Sequence, residues 1–144
     1  MKVLLAVDHS KISQVAMNAL IAHVNPKEAD ILVLHVLEPV SGYPRGQTWG
    51  YVLDAEHILE EQRESGKELL TRVSKALGEK GFNVATALEE GNPKAVILDS
   101  AAKWGADLII LGSHGRRGVD RFLLGSVSEA VARHANCSVE IVRA

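Results

Sequence analysis

Residues 112–129 read G-S-H-G-R-R-G-V-D-R-F-L-L-G-S-V-S-E, which places four glycines, one histidine and three arginines between an apolar run and a helical pattern. Glycines let a backbone turn tightly and bring its N–H groups up to a ligand with no Cβ in the way. Gly125, Ser126, Val127 and Ser128 then open a helix, whose first N–H groups and positive dipole end attract an anion such as phosphate. Arg116, Arg117 and Arg121 add positive charge on the same loop. The spacing is G-x2-G-x9-G-S, and neither G-x4-G-K-[ST] nor G-x-G-x-x-G occurs in the chain, so Walker-type and dinucleotide-type loops are excluded. A smaller reading stays open beside the anion site: Ser126 caps its own helix, with Glu129 three residues on completing a capping box.

A carboxylate is expected near that loop. Asp8 ends the first apolar run as Gly112 ends a later one, and a carboxylate beside phosphates would hold a divalent metal or hydrogen-bond ribose hydroxyls. The alternative is that Asp8 and Ser10 merely cap the helix that follows. His114, between Gly112 and Gly115, is the other titratable candidate. The six histidines show no H-x-x-x-H spacing, and His134 with Cys137 supplies at most two ligands, so no structural zinc is expected. Cys137 precedes an apolar strand and reads as a packed thiol. No G-x-S-x-G elbow is present, which disfavours a serine hydrolase. Trp49 and Tyr51 read equally as packing residues or as contacts to a ligand or partner.

The elements that must position these residues follow from periodicity. Lys2 to Val7 and Leu108 to Leu111 are continuous apolar runs and Ile31 to Val36, ILVLHV, gives a second buried-strand signal, as expected of strands buried on both faces of a parallel sheet. Phe82 to Leu88 is a weaker strand and Ser138 to Arg143 a last one. Ile12, Val15, Ala16, Ala19, Leu20 and His23 recur at helical spacing behind Ser10, and Asn25-Pro26 closes that segment. Glu38 to Gly50 reads as a loop; a helical stripe then runs from about Tyr51 to Leu77 and is ended by Gly78 and Gly81. Asn92-Pro93 opens a third helix, with Ala95, Leu98, Ala101 and Ala102 as its buried side. Ser126 to Ala135 is the fourth. Five strands alternating with four helices predict a doubly wound parallel α/β domain with ligands at the carboxyl ends of its strands.

Composition bounds the function. The 144 residues suit one domain, here taken as residues 1–144, and 47% hydrophobic with 24% charged residues is ordinary for a folded one. Sixteen Lys and Arg against eighteen Asp and Glu give a net charge of −2, so no global field gathers nucleic acid or anionic membrane, and an anion site must be local. The apolar runs fall far short of the roughly 20 residues that cross a bilayer. No signal-peptide segment precedes Asp8 and a single cysteine allows no intrachain disulfide, so a cytoplasmic protein is expected.

Four stretches together resemble the universal stress protein family in its ATP-binding branch, over essentially the whole chain. They are V-D-x-S-x-x-S at Val7 to Ser13, L-H-V at Leu34 to Val36, A-D-L-I-I-L-G at Ala106 to Gly112, and the G-x2-G-x9-G-S spacing itself. The resemblance implies a sheet in order 3-2-1-4-5 with ATP across the carboxyl ends of strands one and four, and Mg or Mn with the phosphates. It implies that Asp8 sits near ribose, phosphates and metal, with Ser10 a lesser candidate, and that Val36 meets adenine through its backbone. Gly112, His114 and Gly115 would line the ribose and phosphate path, beside the positive Arg116, and Gly125, Ser126, Val127 and Ser128 would hold the phosphates. His9 stands where the family often has a small residue. The resemblance further implies a homodimer through the last strand, Val139 to Arg143, whose ladder is otherwise an open edge.

The reading that follows is a nucleotide-dependent stress-response or regulatory module with slow ATP hydrolysis at most, since no residue is evidently poised as a general base. Two alternatives stand beside it. One is a protein-interaction dimer that keeps the fold without nucleotide. The other is a low-activity ATPase or nucleotidyl transferase.

Overall fold

The computed structural model describes residues 1–39, 49–114 and 124–143, with only the backbone for 49–55. Arg117 and Arg121 lie outside the described residues, as do residues 40–48 of the predicted loop.

Strands β1 (Lys2–Ala6), β2 (Asp30–Leu37), β3 (Asn83–Glu90), β4 (Leu108–Gly112) and β5 (Ser138–Val142) alternate with helices α1 (Lys11–His23), α2 (Trp49–Glu79), α3 (Pro93–Trp104) and α4 (Ser126–His134). All ladders are parallel and the strand order is β3-β2-β1-β4-β5. The fold is therefore the doubly wound α/β sheet expected, with its switch point between β1 and β4.

Strand alternation divides the core into two layers. Val3, Leu5 and Val7 of the first strand region, with Ile31 and Val33, face α1 and α2 and meet Ala16, Leu20, Leu69, Val73 and Leu77. Leu4, Leu34, Ile109 and Leu111 face the other way and meet Ile97, Ala101 and Val131 of α3 and α4. Burial on both faces explains why β1 and β4 read as unbroken apolar runs, whereas β3, an edge strand, is largely exposed and reads weakly.

Three local expectations are corrected. Ala95 and Ala102 are exposed; the buried stripe of α3 is Ile97 and Ala101, flanked by Val96, Leu98 and Trp104. Gly78 lies inside α2, and the chain turns at Gly81, whose φ of 91° is left-handed. The last strand stops at Val142, so Arg143 is not part of it. By contrast, Asn92 caps α3 through its side chain and Pro93 takes the first turn, as the sequence indicates.

Candidate functional site

The carboxyl ends of β1, β2 and β4 converge on the switch point, and three backbone features there differ from regular structure. The first is the corner after β1. Asp8 Oδ1 accepts from the Ser10 N–H at 2.8 Å and from the Ser10 hydroxyl, while the Asp8 N–H donates to Ser13 Oγ at 2.9 Å. Ser10 is the N-cap of α1 and its oxygen accepts from the Ser13 N–H. The capping reading of Asp8 and Ser10 is thus correct as far as it goes. It occupies one carboxylate oxygen, and Oδ2 has no hydrogen-bond partner among the described residues.

The second feature is Val36. Leu34 accepts from the Val7 N–H across to β1, and Leu37 accepts from the Gly91 N–H across to β3. In a parallel strand successive residues point their N–H and C=O groups to opposite neighbours, so Val36 shares the β1 side with Leu34. Pairing with β1 ends at Ala6 opposite Leu34. The Val36 backbone therefore faces the space beyond the end of β1.

The third feature is the start of α4. Its N-cap is Gly125, which has no side chain to offer, and Ser126 is the first helical residue and exposed. The alternative capping box of Ser126 and Glu129 is out of register by one residue and does not form. The first intrahelical bond runs from the Glu129 N–H to Gly125, so the N–H groups of Ser126, Val127 and Ser128 precede the helical ladder. Ser128 is buried with its hydroxyl donated to the carbonyls of Ser113 at 2.8 Å and Gly125 at 3.0 Å. Only its backbone N–H is left for a ligand, not its side chain.

Two glycines owe their identity to packing. A Cβ on Gly112 would stand 2.8 Å from Ile12 Cγ2 of α1, and one on Gly125 would stand 2.9 Å from the Ser113 carbonyl oxygen. The Gly125 N–H also donates to that oxygen at 2.7 Å, tying the helix start to the end of β4. Sequence reasoning assigns both glycines to ligand approach; their partners are set by tertiary contacts more distant than any local pattern.

His114 follows β4 with Nδ1 3.1 Å from Ser113 Oγ, and its Nε2 is buried with no hydrogen-bond partner among the described residues. The structure thus brings Asp8, Ser10, Val36, Gly112, His114, Gly125, Ser126, Val127 and Ser128 to one end of the sheet. Gly115 and Arg116 lie outside the described residues. Sequence reasoning missed His35, a buried ring in β2 whose Nδ1 lies 2.7 Å from the Val7 carbonyl oxygen; the L-H-V motif was its only trace.

Among the described residues no cluster of three or more His, Cys, Asp or Glu could hold a metal, and no helix is long and apolar enough to cross a membrane. Cys137 packs among the α3 and α4 layer, and burial, reinforced by the charge of Asp107, pushes its thiol pKa up, which suits a packed thiol and not a nucleophile.

The model of the universal stress protein family matches residues 1–143. The chain is 34% identical to universal stress protein MJ0531 of Methanocaldococcus jannaschii, over 99% of this chain and 81% of that one. It superposes on the structure of universal stress protein UspA from Lactobacillus plantarum with a TM-score of 0.86, at 26% identity, covering 99% and 97% of the two chains. An Arabidopsis thaliana family protein crystallised with AMP bound shares the fold, with a TM-score of 0.68 at 23% identity over 99% of this chain and 90% of that one.

Proposed function

Because the chain belongs to the universal stress protein family, we propose that it is a nucleotide-dependent regulatory module of the stress response, binding ATP across the carboxyl ends of β1 and β4. The observation that carries this reading is the start of α4: a helix N-terminus at the switch point of a doubly wound sheet, opened by a glycine and left without a side-chain cap. The N–H groups of Ser126, Val127 and Ser128 would take the phosphates there, beside Gly125. Val36 would read adenine through backbone groups that face past the end of β1. Gly112, His114 and Gly115 would border the ribose and phosphate path, with Arg116 adding charge. The fold seats an adenine nucleotide in the Arabidopsis protein, which holds AMP.

A divalent cation fits the donors at hand. Asp8 keeps one carboxylate oxygen outside its hydrogen-bonded corner, with Ser10 adjacent, and Mg or Mn is commonly held by one or two carboxylates with substrate phosphates and water completing the shell. Such an ion would neutralise phosphate charge beside Asp8. With Asp8 given to the cation, His114 is the remaining titratable candidate at the site and is not evidently poised as a general base, so the reading is of binding, with slow hydrolysis at most.

In this reading residues 1–144 act as one domain in the cytoplasm, and two copies pair through the open edge of β5 from Val139 on. A protein-interaction dimer without nucleotide is the second reading, favoured by one observation: the Asp8, Ser10 and Ser13 corner closes on itself without a ligand. Three measurements test the readings. Mass spectrometry of the small molecules released on denaturing the purified protein should find an adenine nucleotide. Calorimetric titration with ATP and magnesium or manganese should show binding, and no binding at millimolar ATP would sink the first reading. A sedimentation mass of one chain at micromolar concentration would sink the dimer in both.

A further inference from the structure

The L-H-V segment contains a histidine that the nucleotide reading does not use. His35 is 8% exposed, and a carbonyl oxygen only accepts, so its Nδ1 carries the proton donated to Val7. The ring is fixed from several sides. His9 packs against it edge-on with centroids 5.6 Å apart and is itself within 3.2 Å of Ser65 on α2. Gly66 lets α2 close over it, since a Cβ there would stand 3.0 Å from His35 Cδ2.

The Val7 carbonyl is the acceptor that matters. Val7 N–H donates to Leu34 at 2.9 Å, and in a continuing parallel ladder the Val7 carbonyl would next accept from the Val36 N–H. That bond does not form, and the ladder ends at Ala6 opposite Leu34. The imidazole has taken its place.

We infer that His35 is a positioning residue for adenine recognition: by holding the Val7 carbonyl it ends the β1–β2 ladder one bond early and keeps the Val36 N–H available to a purine base. The inference deepens the nucleotide reading and, in its ligand half, rests on it. Its structural half concerns the protein without ligand and stands or falls separately.

The test is amide hydrogen exchange at Val36, read by NMR on the full chain, combined with titrations of ATP and of inorganic tripolyphosphate as a base-free probe. In wild-type protein without nucleotide, Val36 should exchange at least about tenfold faster than Leu32 and Leu34, which point to the same side within the ladder. His35→Phe keeps an aromatic ring but removes the donor. It should slow Val36 exchange by freeing the Val7 carbonyl, and weaken ATP by about tenfold, the worth of roughly one hydrogen bond, while tripolyphosphate affinity stays unchanged. His35→Asn, whose side-chain amide can donate from near the Nδ1 position, should restore fast exchange and ATP affinity. A Val36 amide already protected in the wild-type protein, or equal losses of ATP and tripolyphosphate in His35→Phe, overturns the inference. If His35→Phe does not fold, the wild-type exchange rate and the His35→Asn titrations decide it by the same criteria. If wild-type protein binds no ATP, the nucleotide reading and the ligand half fall together, and Val36 exchange still judges what His35 does to the ladder.

Discussion

Helices α1 and α4 begin at the same end of the sheet, on either side of the switch point, and finish their first turns in opposite ways. The α1 start is closed by the chain's own side chains: Asp8 accepts from Ser10, Ser10 caps toward Ser13, and Ser13 accepts from Asp8. The α4 start is a glycine with no side-chain bond, and the buried hydroxyl of Ser128 is turned back onto carbonyls. Both sequences contain serines at capping spacing, so residue type alone does not separate a self-satisfied N-terminus from one that leaves its donors open. The difference lies in where the helix starts. Ser10 precedes α1, whereas Ser126 is already inside α4.

The largest effect on this comparison is expected from Gly125→Val. The added Cβ meets backbone, at 2.9 Å from the Ser113 carbonyl oxygen, and neither side of that contact is a flexible side-chain tip. Overpacking of this kind costs about 1–3 kcal/mol, so urea denaturation should show that loss together with loss of ATP binding. The variant therefore reports on the β4–α4 junction as a whole, and unchanged stability would mean that the junction is looser than its geometry indicates.

Asp8→Ala should come next. It removes an acceptor from the Ser10 N–H and hydroxyl, a charge-assisted pair of bonds whose loss is expected to cost about 2 kcal/mol. It should also lower ATP affinity in magnesium. Asp8→Asn separates the two roles: it keeps an acceptor oxygen for the corner, so most stability should remain, while the charge that would face a cation is gone. Calorimetry with and without magnesium reads the difference. If Asp8→Asn binds ATP with magnesium as well as wild type, Asp8 serves the corner alone.

Ser10→Ala should cost about 1 kcal/mol, the usual value of an N-cap side chain, and leave tripolyphosphate binding at α4 unchanged. Denaturant midpoints at constant slope measure the first and titration the second.

How much of this was legible in the sequence depended on the range of the responsible contact. The interior stretches of β1, β2 and β4 are almost wholly apolar because both faces are covered, and their runs announce the parallel sheet without a structure. Asn92-Pro93 announces α3 because cap and first turn are adjacent residues. The glycines of the β4–α4 segment announce a close approach, but what approaches Gly112 is Ile12, a hundred positions away in the chain, and a local pattern carries no trace of it. The buried side of α3 was read only in part, with Ala101 and Leu98 right and Ala95 and Ala102 wrong, for a related reason: alanines are tolerated on either face of a helix, and the bulkier Ile97 marks the core more faithfully. His35 stayed hidden because a polar residue inside an apolar run looks like an interruption until its acceptor on a neighbouring strand is seen.

The smallest expected effect, Ser126→Ala, is the sharpest check of the comparison. A serine at the N-cap contributes about 1 kcal/mol through its oxygen, and Ser10→Ala provides that value within the same protein. Ser126 is exposed, lies at the first helical position and supplies no cap, so its replacement should change the unfolding free energy by less than about 0.5 kcal/mol, the usual range for surface substitutions. Tripolyphosphate affinity should also persist, because the backbone N–H of residue 126 is kept and the anion would be held by main-chain donors. A cost equal to that of Ser10→Ala would show the hydroxyl reaching back to its own helix. The α4 start would then be as closed as that of α1, and the distinction on which the proposed phosphate site rests would disappear.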